Sequence, residues 1–170
     1  MQIKDRIKEF KRIKASELMP HPMNWRTHPQ AQREALQGIL AEVGYVDALM
    51  VRPHQGGYQI LDGHLRAETT PDTEVPVLVV DLDDAEAAKV LATFDPLAAM
   101  AEADAGKLDE LLREVETGSE ALQGLLAQLS EDAGLYQDAP TAPEDFNTVD
   151  ENLPTDTECP KCGYRWSGGA

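Results

Sequence analysis

Residues 60–68 read ILDGHLRAE, a short apolar run that stops at Asp62 and Gly63 and is followed by His64, Leu65, Arg66 and helix formers. Three kinds of chemistry fit this order. Backbone amides at the start of a helix have no partner within the helix and sit at the positive end of its dipole, so they bind anions. Gly63 has no side chain to block a phosphate, and Arg66, three residues on, can reach back with its planar donor fork. His64 can act as a hydrogen-bond donor, an acid or a base near neutral pH, and Asp62 can hold a metal ion accompanying a polyphosphate. The plainer alternative is a tight turn with Asp62 as the helix N-cap and Arg66 on the surface.

The second candidate is CPKCGYRW, in which Cys159 and Cys162 are the only cysteines. Cys-Pro-x-Cys-Gly resembles one knuckle of a zinc ribbon, where glycine allows the turn that points both sulfurs inward. Zinc needs four ligands, and His21, His28, His54 and His64 lie far away across a linker. A second chain or a partner protein would complete the set, and otherwise the motif is two free thiols. Trp25, between Asn24 and Arg26, either stacks on a base or anchors its loop. His21 and His28 read as turn or surface residues, and the leucines of 108–129 as core or helix contacts. There is no Walker loop, no HExxH motif and no serine-hydrolase order.

Several elements must position these residues. The prolines of MPHPMNWRTHPQ impose an ordered loop, and QAQREALQGILAEV then carries Ala35, Leu36, Ile39, Leu40 and Val43 at helical spacing, with Gly44 as the stop. Residues 48–62 read as a hairpin turning at PHQGG, and GHLRAE as a helix that ends before Pro71. VPVLVVDL is apolar on both parities, which predicts a central strand buried on both faces. DDAEAAKVLATF reads as a helix capped by an acid, and DPLAAM as the start of another, with Asp95 as N-cap and Pro96 at the first position. Residues 1–19 fit either an extended entry or a helical stripe of Ile3, Ile7, Phe10 and Ile13. The fold class is mixed α/β, with an acidic helical extension and a CxxC tail. Its expected divisions are 1–95, 96–132, a linker at 133–157 and the tail at 158–170.

Charge is distributed unevenly. Residues 1–80 carry 10 acids and 10 bases, 81–158 carry 21 acids and 3 bases, and the tail adds two bases, for a formal net charge of −16. An acidic second half repels nucleic acid, so DNA contact is expected only through the amino-terminal part, where Lys4, Arg6, Lys8, Lys11, Arg12 and Lys14 cluster. No run approaches a membrane span, and the basic amino terminus lacks the apolar segment of a secretory signal. With two cysteines in one CxxC, the expected setting is reducing and cytoplasmic.

Taken in order, four blocks resemble the amino-terminal domain of the ParB/sulfiredoxin superfamily: IKASELMPHPMNWRTH, LQGILAEVGYVDALMVR, YQILDGHLRAE and VPVLVVDLDDAEAAKVL, covering about residues 13–95. The resemblance implies that Gly63, His64, Leu65 and Arg66 form a phosphate turn that cradles CTP in ParB proteins and ATP or ADP in sulfiredoxins and related serine kinases. It places Asn24 and Arg26 in a loop facing the nucleotide and Arg52 at a strand end. Departures narrow what is implied. His64 stands where sulfiredoxins carry a reactive cysteine, which removes thiol-based repair. ATFDPLAAM lacks the Glu-Asn pair and following arginine that support CTP hydrolysis. The helices of 95–130 are acidic, unlike the DNA-reading domain of partition ParBs.

The resulting expectation is a nucleotide-binding switch or accessory factor in DNA modification, or in phage or plasmid DNA handling, using a nucleoside tri- or diphosphate with Mg²⁺. A DNA methyltransferase or other protein is the implied partner, and a homodimer is compatible. Two alternatives stand beside it. One is a phosphotransferase or nuclease with His64 and Asp62 as catalytic residues. The other is an interaction adaptor with a degenerate pocket.

Overall fold

The valine-rich segment Glu74–Val80 forms the strand on which the architecture is built. A computed structural model describes residues 2–135 and 157–166. The first strand, β1, spans Ile7–Lys14, so the extended alternative holds for this segment. A 3-10 turn, Ala15–Glu17, leads into the two-residue β2, Leu18–Met19. Helix α1 (Gln30–Glu42) precedes β3 (Leu49–His54), β4 (Gly57–Asp62), α2 (His64–Thr69) and β5 (Glu74–Val80). The sheet order is β1-β5-β3-β4-β2. β5 runs antiparallel to β1 and parallel to β3, β3 and β4 form the antiparallel hairpin, and β2 adds in parallel to β4.

The alternation of β-strand side chains explains why β5 sits inside. Val75, Val77 and Val79 join Leu49, Val51, Ile60 and Ala67 in one buried cluster. Val80 meets Leu61 and Ala87 in a second, flanked by Met50, Leu82 and Val90. Thus α2 covers one face of the sheet and α3 (Asp84–Ala99) the other. The β3–β4 turn places Gln55 at φ 47° and Gly56 at φ 79°, the paired positive values that match hairpin twist.

Helix α3 begins in a complete capping box. The Asp83 carboxylate accepts from the Glu86 amide at 2.8 Å, and Glu86 accepts from the Asp83 amide at 3.0 Å. Arg6 grips Glu86 at 2.6 Å and Asp81 at 2.7 Å, tying the start of β1 to this end of α3. Its hydrogen bonds, with that of the Asp83 amide, pull the Glu86 carboxyl down to about 2.

The expected new helix at Asp95 is a correction. α3 continues through Pro96 to Ala99 without a break. Pro96 falls in the last turn, where its missing donor costs one bond and the Met100 amide closes back onto the Pro96 and Leu97 carbonyls. Asp95 is engaged elsewhere, in an ion pair with Arg26.

Two further helices follow, α4 (Ala105–Glu114), capped by Asp104, and α5 (Glu120–Asp132), capped by Ser119. α5 packs along α1 and buries Leu122. The boundary expected at residue 95 therefore falls inside a helix, and the chain divides into the units Met1–Tyr136 and Gln137–Ala170. Most of the expected linker lies outside the described residues. In the second unit β6 (Thr157–Glu158) pairs with β7 (Arg165–Trp166). Among the described residues no helix is long and apolar enough to cross a membrane.

Candidate functional site

β4 ends at Asp62 and α2 starts at His64, with Gly63 between them at φ 92°, ψ 20°. The first bond inside the helix runs from the Ala67 amide to the Gly63 carbonyl at 3.0 Å. No side chain caps the turn, so the amides ahead of Ala67 carry the free donors of a helix start. The expectation that Asp62 caps them is corrected here. Gly63 itself holds the N-cap position, and Asp62, one residue further out, turns to two guanidinium groups.

Those two groups define the cleft. Arg66 donates to Asp62 at 3.1 Å and to Asp47, in the segment before β3, at 2.6 Å. Arg26, from the proline-rich loop, meets Asp62 at 3.5 Å and Asp95 of α3 at 2.7 Å. Hydrogen bonding from Arg66 holds the Asp47 carboxyl below its ordinary range. Arg26, Asp47, Asp62, Gly63, His64 and Arg66 line a cleft of about 330 Å³. Three carboxylates therefore hold two arginines in place at this cleft, which leaves the cations close together yet charge-balanced.

His64 is the buried member, only 3% exposed. Its Nε2 accepts a hydrogen bond from the His21 amide at 3.2 Å, so the neutral ring carries its proton on Nδ1. That Nδ1 is buried and has no partner among the described residues. Burial, and next the charge of Arg26, push the His64 pKa below its ordinary 6.5. A ring whose lone pair is already used is a buried hydrogen-bond donor rather than a base. His21 is likewise buried, its Nδ1 accepts from the Met23 amide at 3.1 Å, and burial lowers its pKa too.

The sign of the pH effect follows. Both histidines stay neutral in the fold at pH values where an unfolded chain, titrating near 6.5, takes up protons. The unfolded state then binds more protons, so stability is full above 6.5 and falls as the pH drops below it. Melting temperature measured from pH 7.5 to 5 is expected to fall in wild type and to fall less steeply in His64→Gln. Equal slopes would contradict the buried neutral ring.

The remaining candidates are placed as follows. Leu65 is buried and lines the cleft. The Asn24 amide donates to the His21 carbonyl at 3.0 Å, so Asn24 shapes the loop that carries Arg26. Trp25 stays 61% exposed but donates from Nε1 to the Leu91 carbonyl at 3.1 Å, pinning that loop to α3. Arg52 is not brought to the cleft. It is buried on β3, where Gln59 Oε1 accepts from its Nε at 3.0 Å and Nη2 at 2.8 Å and Asp84 pairs with its Nη1 at 2.7 Å. Cys159 and Cys162 belong to the second unit. Sequence reasoning missed the roles of Asp47, which lines the cleft, and of Asp95 and His21, which hold Arg26 and His64 from segments distant in the chain.

The sheet, the Gly63 turn and the flanking helices together define a ParB-like N-terminal-domain fold. The structure of the C-terminally truncated chromosome-partitioning protein ParB from Caulobacter crescentus, complexed with CTP-gamma-S, is similar at TM-score 0.52 and 24% identity. The match covers 62% of this chain, which spans 61% of that one. The same protein complexed to the centromeric parS site gives TM-score 0.43 and 20% identity over 72% of this chain and 69% of that one. The Pnob8-like ParB-N domain gives 0.44 and 13%, over 78% and 52%. No family model matches, and no curated protein matches significantly.

Proposed function

We propose that the cleft binds the phosphate chain of a nucleotide. The observation that carries this reading is the convergence of the Arg26 and Arg66 guanidinium groups and the uncapped Gly63 turn on one small opening. A phosphate satisfies all of these donors at once, and by drawing Arg26 and Arg66 to itself it releases Asp47, Asp62 and Asp95. The fold supports the reading, because the similar Caulobacter ParB structure is a complex with CTP-gamma-S. Mg²⁺ suits the released carboxylates, which are hard oxygen donors, although among the described residues no three metal-binding side chains already gather at one point.

Binding is favoured over proton-transfer chemistry, because the His64 lone pair is occupied and Asp62 is held by two cations. The role that fits is a nucleotide-responsive switch or accessory factor in a cytoplasmic DNA-handling system. DNA contact is assigned to the amino-terminal part, since 81–158 carries 21 acids against 3 bases. The test is a thermal-shift panel of CTP, ATP, GTP and UTP, each with and without Mg²⁺. At least one nucleotide is expected to raise the melting temperature at concentrations well above its Kd, by several degrees. If none does, the cleft is degenerate and the adaptor reading replaces this one.

A further inference from the structure

The second unit carries a feature that the nucleotide reading does not use. β6 and β7 pair Thr157 with Trp166 and Glu158 with Arg165, and the chain between them folds into a knuckle. The Cys159 amide donates to the Tyr164 carbonyl at 2.8 Å, and the Gly163 amide returns to the Cys159 carbonyl at 2.9 Å. Gly163 makes the reversal at φ 75°, a value that side chains resist. Cys159 and Cys162 therefore sit on one tight turn, the backbone arrangement of a metal-binding knuckle.

A structural zinc site takes four ligands, and thiolates from Cys-x-x-Cys turns supply them in pairs. This chain has no third cysteine. Residues 157–166 hold no histidine. Residues 137–156 contain neither histidine nor cysteine, and Glu158 is engaged by Arg165 at 3.5 Å. Tyr164 and Trp166 stack at 6.2 Å between ring centroids and remain 69% and 40% exposed, which gives the same hairpin an aromatic flank to bury.

We infer that Cys159 and Cys162 are half of a tetrahedral zinc site that a second copy of this chain completes with the same two residues. The site holds one zinc for every two chains, through four sulfurs, and joins the two carboxy-terminal hairpins.

The test uses the full chain purified under reducing conditions with zinc. Elemental analysis is expected to give one zinc per two chains, and light scattering a dimer that a chelator converts to monomer. Cobalt in place of zinc is expected to give the visible absorption of a tetrahedral four-thiolate centre. Cys162→Ser is expected to lose the metal and the dimer together, while the melting of Met1–Tyr136 and its response to nucleotide stay as in wild type. That last readout separates failure of this inference from failure of the nucleotide reading. One zinc per chain in a monomer, a dimer that persists without metal, a Cys159–Cys162 disulfide in the reduced preparation or absence of bound zinc would each overturn it.

Discussion

Arg66→Ala is expected to lower nucleotide affinity about 30-fold or more, equivalent to roughly 2 kcal/mol, while moving the melting temperature by only a few degrees. The two effects separate because the side chain serves two different networks. In the free protein Arg66 answers Asp47, whose side chain is 71% exposed, and Asp62, at 40%. Such partly solvated pairs contribute about 1 kcal/mol or less. In the occupied cleft the same fork faces a phosphate with the free amides of α2 beside it, and no other residue of the turn can replace a bidentate donor. Arg66→Lys is expected to recover part of the affinity, since an ammonium restores charge without the fork. Asp47→Asn is expected to act in the opposite direction, because it removes a carboxylate that competes with the ligand for Arg66. Isothermal titration against the best nucleotide of the panel measures all three. Wild-type affinity in Arg66→Ala would remove the anion cradle from consideration.

Gly63→Ala is expected to cost about 2–4 kcal/mol of stability, combining left-handed strain with overpacking, and to lower the melting temperature by on the order of 10 °C. A β-carbon at residue 63 would lie 2.6 Å from Leu49 Cγ and 3.3 Å from Arg66 Nε and Nη2. Leu49 is fully buried at the centre of the sheet and cannot retreat without opening the core. The Arg66 guanidinium is the softer neighbour, and its displacement would take it from Asp62 and from the cleft. Stability and nucleotide response are thus expected to fall together in this variant, in contrast to Arg66→Ala. A melt indistinguishable from wild type would contradict the φ of 92° on which the turn rests.

The sheet was largely legible in the sequence. The double-parity run of β5 announced a buried strand, and the PHQGG stretch announced a hairpin, because each pattern has a local physical cause. Pro96 misled, since proline at a helix start and proline in a last turn have the same local signature. What separates them is whether Asp95 is free to cap, and Arg26, 69 residues earlier, decides that. The cleft was legible only in part. Gly63, His64 and Arg66 sit within one short stretch, so their spacing could be read. Asp47 and Asp95 join them through the fold, and nothing in their local sequence marks them. Arg52 shows the converse: it was expected at a strand end, but β3 runs on to His54, and from within the strand its side chain leaves toward Asp84.

The pairing of β1 has a consequence for how the chain is made. Its partner in the sheet is β5, with Ile7 opposite Val80 and Lys14 opposite Glu74. At roughly 5–20 residues per second, a ribosome needs on the order of 4–15 s to deliver the second strand after the first has emerged. Over that interval β1 is unpaired on both sides, and in the finished sheet it stays an edge, so Lys8, Lys11, Arg12 and Lys14 along it are charges that disfavour the addition of another strand at both stages.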